Sequence, residues 1–196
     1  MVGFGGTGVM LLGVVAAAIA CGLLGLALLR PLGWVSAASI AGFLWAVAVI
    51  GLVTLVPTSA HTGIVPAETR MTTCSWDIGG PAPDGFWIFE SGQRTLNTVL
   101  FVPAGALLVL AVARWRAGWL LAPLGLLGLA GYSALIEKTQ LELARIDRAC
   151  DVTDIIDNTT GAVVGAVIGL CLLPVLQPWR HRAQHGSRPS SVRGSS

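Results

Sequence analysis

Charged residues are scarce in this sequence. Asp, Glu, Lys and Arg make up 11% of its 196 residues, whereas a soluble domain carries about 25%. Disordered, collagen-like and nucleic-acid-binding chains are excluded, because each needs a polar or strongly basic composition. With 54% hydrophobic residues and a mean hydropathy of +0.76, the composition predicts an integral membrane protein.

The sequence also lacks the usual signatures of catalytic and metal sites. It contains no CxxC pair and no HExxH zinc motif, and only His61 lies outside the C-terminal tail among the histidines. It offers no activated Ser–His or Cys–His nucleophile. The glycine-rich segment 3–8 precedes an apolar run instead of linking a strand to a helix, so it does not predict a phosphate loop. We therefore predict no catalytic residue, no metal site and no cofactor.

Long apolar runs are what the sequence does contain. A helix needs about 17–25 such residues to cross a bilayer, and five uncharged runs reach that length: 9–29, 35–56, 96–113, 117–136 and 158–176. The first is too long for the apolar region of a signal peptide and follows no Lys or Arg, so we interpret it as a retained helix. The sequence predicts an all-α fold, an integral membrane bundle of five transmembrane helices.

The charges of the connecting segments predict the orientation of this bundle. Segments 57–95 and 138–155 share one side of the membrane and hold five basic and eight acidic residues. The other side receives seven Arg and no acidic residue: Arg30, Arg114, Arg116, Arg180, Arg182, Arg188 and Arg193. The positive-inside rule then places the N-terminus outside and the C-terminus inside.

The spans and loops divide the chain into three parts. Residues 1–94 are predicted to hold two transmembrane helices and a long extracytoplasmic loop, and residues 95–178 a three-helix membrane core. Residues 179–196 are rich in Ser and Arg and nearly free of apolar side chains. Such a segment cannot bury enough surface to offset its ordering entropy, so we predict a disordered basic cytoplasmic tail.

The four cysteines occupy two kinds of position. Cys21 and Cys171 lie inside apolar runs, where a thiol behaves as a small hydrophobic side chain. Cys74 and Cys150 lie in the two segments assigned to the outer face, a compartment that permits disulfides. We therefore expect a Cys74–Cys150 disulfide that ties the first outer loop to the second. Two unrelated thiols are the alternative.

Several polar side chains lie at the edges of the apolar runs, where amides and charges are costly. The third and fifth spans begin at the outer interface and the fourth ends there, so all these side chains reach one level. They are Asn97, Glu137, Gln140, Asp151, Asp154 and Asn158.

The start of the fifth span shows a helical stripe. A helix that begins near residue 151 aligns residues three or four apart on one face: Asp151, Asp154, Asn158, Gly161 and Gly165. Asp151 or Thr153 is suited to cap this helix, and acidic residues in its first turn suit the helix dipole. Gly161 and Gly165 form a small-xxx-small pair that allows close helix packing.

A series of short motifs covers residues 97–169. Asn97 is followed by LFVPAG at 100–105, IEKTQ occupies 136–140, Arg148 precedes the acidic stripe, and NTTG at 158–161 is followed by Gly165. In this order and spacing the motifs resemble the VanZ-like family of membrane proteins. The chain departs from the family pattern at Asp157, where an apolar residue is usual, and in its Cys74/Cys150 pair.

The resemblance implies a bacterial plasma-membrane protein, and the type member of the family is associated with teicoplanin resistance. We expect a non-enzymatic protein in the lipid bilayer with an extracytoplasmic polar pocket for a lipid-linked cell-envelope component or a glycopeptide. One alternative is that the polar residues only lock the helices together. Another is an intramembrane hydrolase or transferase that uses Glu137 and Asp154 as an acid–base pair. A secondary transporter is disfavoured, because the five spans contain no evident internal repeat.

The polar residues are expected to form one hydrogen-bonded group, since an unpaired buried carboxylate or amide costs several kcal/mol. The predicted members are Asn97, Glu137, Gln140, Arg148, Asp154 and Asn158. Arg148 is the predicted counter-ion, because its planar guanidinium can hold one carboxylate and donate to another. If Arg148 pairs with Asp154 or Asp151, the loop after the fourth helix folds back over the start of the fifth.

Overall fold

A computed structural model describes residues 6–56, 74–76, 78, 92–142 and 151–179. These residues form five α-helices, and no strand occurs among them. Each helix is long and apolar enough to cross a membrane, which confirms the predicted all-α architecture of five spans. The helices are α1 (Thr7–Leu32), α2 (Trp34–Leu55), α3 (Gly92–Val112), α4 (Gly118–Glu142) and α5 (Val152–Leu176).

At the long-loop end, three helices extend by a turn or more beyond the uncharged runs that predicted them. Helix α3 begins at Gly92 instead of residue 96, α4 continues to Glu142 instead of ending at 136, and α5 begins at Val152 instead of 158. The added turns carry the polar side chains. Because these side chains have partners within the bundle, the helical conformation continues beyond the apolar runs. An uncharged window stops at the first charge and therefore misses these turns.

Helices α3 and α5 form the central pair of the bundle. Helices α3 and α5 pack against each other most extensively, α2 packs on α3, and α4 packs on α5. Helix α1 packs on α2 and buries only Gly25. The core between α2, α3, α4 and α5 centres on Ile50, Phe101, Leu108 and Ile136.

The bundle has two ends with different connections. At the long-loop end, α2 and α4 finish while α3 and α5 start, so the segments after α2 and after α4 are attached there. At the short-loop end lie Gly33 between α1 and α2, residues 113–117 between α3 and α4, and the last turn of α5. The predicted placement of these ends outside and inside the cell stays a prediction, as do the three-part division of the chain and the disordered tail, whose residues 180–196 lie outside the described residues.

Helices α3 and α5 run in the same direction and approach closely through glycine. A Cβ atom at Gly161 would collide with the backbone carbonyl oxygen of Thr98, and one at Gly165 with that of Val102. At Gly169 the added Cβ would lie 2.6 Å from the Ala106 carbonyl oxygen. Small residues at an interface let two helix backbones touch in this way, so α5 needs glycine at these positions to reach α3.

Candidate polar site at the long-loop end

An ion pair joins α3 to α5 at the long-loop end. The Arg94 guanidinium donates from Nε to Oδ2 of Asp157 at 2.8 Å and from Nη2 to Oδ1 at 3.0 Å. The Asp157 side chain is 0% exposed and that of Arg94 is 13% exposed. Both carboxylate oxygens are therefore held by one planar fork, which fixes the orientation of both side chains.

The ion pair continues the ladder of close contacts between α3 and α5. Asp157 precedes Gly161 by four residues, and Arg94 precedes Thr98 by four, so each ion-pair partner lies one turn above a residue of the first glycine contact. Each further contact follows after four more residues on both helices. One register therefore sets the glycine contacts and the ion pair together, and a shift of either helix would break both.

Glu137 of α4 lies beside the first turn of α5. Glu137 is only 3% exposed, and its Oε2 accepts a hydrogen bond from the Asp151 backbone N–H at 3.2 Å. Asp151 is the N-cap of α5, and its Oδ1 accepts from the Thr153 backbone N–H at 2.9 Å. Two carboxylates thus accept from backbone groups at the positive end of the helix dipole, where negative charge is favoured.

Two further hydrogen bonds connect α4 to its neighbours. Asn158 donates from Nδ2 to Oγ of Ser133 at 2.9 Å, and both residues are buried. Gln140 donates from Nε2 to the backbone carbonyl oxygen of Thr54 at 2.9 Å, which joins α4 to the end of α2. Polar side chains from α3, α4 and α5 therefore meet at one end of the bundle, together with the last turn of α2.

Asn97 and Asp154 lie near the ion pair, on the two helices that it joins. Both are half-buried, in contrast to Glu137, Asp157 and Asn158. Asn97 follows Arg94 by three residues on α3, and Asp154 precedes Asp157 by three on α5. Residues three apart are neighbours on a helix surface, and both helices start at the long-loop end, so Asp154 lies one turn nearer that end than the ion pair and Asn97 one turn deeper.

A short segment of the connection between α2 and α3 reaches the start of α5. Ser75 pairs with Asp151 in an isolated parallel bridge, and the Val152 backbone N–H donates to the Ser75 carbonyl oxygen at 3.1 Å. Cys74 directly precedes Ser75 in the sequence, and Cys150 directly precedes Asp151. Cys150 lies outside the described residues, and no disulfide joins two cysteines within them, so the Cys74–Cys150 bridge stays a prediction. Cys21 and Cys171 are free.

Three of the predicted site residues make hydrogen bonds to different partners, and the single hydrogen-bonded group that includes Arg148 stays a prediction. Gln140 bonds to α2, Asn158 to Ser133, and Glu137 to the backbone of Asp151. Arg148, the predicted counter-ion, lies outside the described residues. In the described structure, the buried carboxylate of Asp157 is held by Arg94. The predicted third span did not include Arg94, because a charged residue is excluded from an uncharged run.

Two signals in the sequence point toward the Arg94–Asp157 pair. Arg94 lies one helical turn before Thr98, and Asp157 one turn before Gly161, so extending each helix by a turn places them on the packing faces. The departure of Asp157 from the family pattern is the second signal, since an acidic residue at membrane depth needs a partner. The pairing itself requires the register between α3 and α5, which no local pattern contains.

The site is suited to holding helices and loops in place and to presenting half-buried polar groups. No group of three His, Cys, Asp or Glu among the described residues is placed to hold a metal ion. The two carboxylates of the alternative acid–base hypothesis differ in setting, since Glu137 is buried while Asp154 is half-buried.

Comparison with known proteins identifies a family whose model covers this site. The family model described as VanZ/LLP1 matches residues 43–173, about two-thirds of the chain, from within α2 to near the end of α5. The matched range includes Arg94 and Asp157 and excludes α1. No curated protein and no solved structure matches the chain.

Proposed function

The chain belongs to the VanZ/LLP1 family and is a multi-pass membrane protein, and from this premise we propose that it is a non-enzymatic cell-envelope protein of the bacterial plasma membrane. In this proposal the long-loop end faces outward and binds the polar headgroup of an amphiphile, either a lipid-linked cell-envelope saccharide or a glycopeptide. The observation that carries the proposal is the convergence of polar side chains from three helices on one end of a membrane bundle.

The site contains both buried and half-buried polar groups. The Arg94–Asp157 pair and Glu137 are buried and held by protein partners, so they form a rigid frame that costs no reorganisation when a ligand binds. Asp154, one turn nearer the long-loop end than the ion pair, and Asn97, one turn deeper, are half-buried, and in the proposal they contact the ligand's hydroxyl and amide groups. Few, well-oriented polar groups beside apolar surface are what recognition of an amphiphile requires.

The outer loops complete the site in this proposal through a Cys74–Cys150 disulfide. The Ser75–Asp151 bridge supports it, because each cysteine directly precedes one of the two paired residues. We expect peptide mapping without reductant, on membranes prepared under oxidising conditions with blocked thiols, to recover one peptide that contains both cysteines. Recovery of Cys74 and Cys150 as separate blocked thiols would refute the bridge.

The function is tested by antibiotic susceptibility in a strain that lacks the gene, complemented with variants. We expect the null strain to become more sensitive to teicoplanin and other cell-wall inhibitors, and Glu137→Gln and Asp154→Asn to fail to restore resistance. Glu142→Gln is the matched control, because Glu142 lies on the same helix with its side chain 69% exposed. A null strain with an unchanged profile would remove the cell-envelope role.

Purified full-length protein distinguishes the ligand sources and the enzymatic alternative. Binding is measured with teicoplanin in one arm and an undecaprenyl-pyrophosphate-linked saccharide in the other, with the wild type, Asp154→Asn and Glu142→Gln. Saturable binding that Asp154→Asn weakens supports the proposal and names the ligand. Conversion of the lipid-linked probe to a product that depends on Glu137 and Asp154 would replace the binding role with the hydrolase or transferase role.

A further inference from the structure

An apolar pocket lies at the short-loop end, away from the polar site. It has a volume of about 480 Å³ and lies between the last turns of α3 and α5 and the first turns of α4, a size within the usual range for small-molecule sites. Its lining contains no charged residue. Small residues such as Ala122 of α4 and Ala166 of α5 are part of this lining.

The pocket borders the outer surface of the bundle. Among its lining residues, Leu170 of α5 is 56% exposed and Trp119 of α4 is 79% exposed. These residues belong to helices long and apolar enough to span a membrane, so the surface that they share faces lipid. The ligand present at high concentration beside this opening is therefore the hydrocarbon chain of a bilayer lipid.

Aromatic and basic residues mark the depth of the pocket. Trp115, Trp119 and Trp179 are all exposed at this end, and tryptophan is enriched at the level of the lipid headgroups. Arg116 is exposed and lies two residues before Gly118, a lining residue. A lipid chain in the pocket would therefore carry its headgroup to the level of Arg116.

The charge at this end favours an anionic headgroup. All ten acidic residues of the chain fall within 68–90 or 137–157, and none of the residues described at the short-loop end is acidic. The nearby Arg114 donates to the carbonyl oxygens of Leu32 and Pro31 at 2.6 and 3.2 Å, so its guanidinium joins the α3–α4 connection to the end of α1. Among the described residues beside the pocket, Arg116 is the basic residue that is exposed.

We propose that this pocket binds one acyl chain of an anionic phospholipid, with the lipid phosphate held by Arg116. The chain contributes affinity by replacing loose contacts with packed ones against α3, α4 and α5. The phosphate contributes selectivity, since one basic residue near the membrane surface changes anionic-lipid affinity by about fivefold. The site is independent of the ligand proposed for the long-loop end.

The test is native mass spectrometry of the full-length protein in mild detergent, titrated with phosphatidylglycerol or with phosphatidylcholine of identical chains. We expect one lipid to be retained, with phosphatidylglycerol preferred. Ala122→Phe fills the pocket and is expected to weaken retention of both lipids by about tenfold. Ala134→Phe is the matched control, because Ala134 lies on the same helix, is exposed, and does not line the pocket.

A second pair of variants tests the headgroup. Arg116→Gln is expected to keep the lipid but lose about fivefold of the preference for phosphatidylglycerol, whereas Arg30→Gln, exposed at the same end on α1, is expected to keep the preference. Circular dichroism checks folding, and Ala122→Leu replaces Ala122→Phe if the larger side chain unfolds the protein. Equal retention in the Ala122 and Ala134 variants, or equal preference in the two Arg variants, would overturn the proposal.

Discussion

At the long-loop end, α3, α4 and α5 are joined by an ion pair and hydrogen bonds, whereas at the short-loop end the same helices border an apolar pocket. The charges of the described residues divide in the same way, because the acidic residues lie at the first end and the charged residues of the short-loop end are all Arg. A polar contact in a membrane needs one specific partner, so it fixes which helices meet and in what register. Apolar packing accepts many partners, lipid included.

The comparison also separates two ways of joining α3 to α5. Glycine lets the backbones touch along the length of the interface, and the Arg94–Asp157 pair closes it at the long-loop end. Close packing gains dispersion energy from many weak contacts, while the ion pair adds one contact that is costly to break. Each of these two contributions to stability can be measured against a matched site that lacks it.

The largest effect is expected from breaking the ion pair. Arg94→Gln leaves a fully buried Asp157 without its counter-ion, and we expect the free energy of unfolding to fall by about 3–5 kcal/mol. Asp157→Asn is expected to have a similar cost, and the double variant to recover part of it, because neither charge is then left alone. Unfolding in mixed micelles by titration with dodecyl sulfate, followed by circular dichroism, provides the measurement.

The control for this prediction is the other ion pair of the described residues. Lys138 and Glu142 are separated by 3.9 Å between Nζ and Oε1, and their side chains are 71% and 69% exposed. Removing such a pair with Lys138→Gln is expected to change stability by about 0.5 kcal/mol or less. If Arg94→Gln costs no more than Lys138→Gln, the buried pair does not hold α3 to α5.

A smaller loss is expected from adding a side chain at the glycine contact. Gly165→Leu places its Cβ against the Val102 carbonyl oxygen, which cannot move without displacing α3, and we expect a cost of about 3 kcal/mol. Gly131→Leu on α4 is the control, since nothing lies within 4 Å of an added Cβ there. The midpoint of thermal unfolding in detergent should fall for the first variant and stay near wild type for the second. Equal midpoints would show that α3 and α5 do not need close approach.

The smallest effect is expected from the hydrogen bond between Asn158 and Ser133. A double-mutant cycle with Asn158→Ala and Ser133→Ala should give a coupling energy of about 0.6–1 kcal/mol, the range of interhelical hydrogen bonds in membranes. The buried 2.9 Å contact joins α5 to α4, so the coupling should appear in the same unfolding titration. Additive single effects would mean that the two side chains contribute independently.

Much of the fold could be predicted from the sequence, and the polar site only in part. The five helices follow from runs of apolar residues, and the close packing at Gly161 and Gly165 follows from their spacing. The stripe predicted on α5 grouped Asn158 with these glycines, yet Asn158 contacts Ser133 of α4 while Asp157 is the residue in line with Gly161. A shift of one residue around the helix changes the neighbouring helix that a side chain meets.

The sequence by itself determined the membrane-spanning helices, because length and apolarity are local properties that a bilayer selects without reference to other segments. It also carried the motifs that identify the family. Only the tertiary structure decided that Arg94 holds Asp157, 63 residues away along the chain. That choice depends on the register between α3 and α5, which their glycine contacts set through the approach of two backbones, and no pattern within either helix records which turn of its neighbour it will meet.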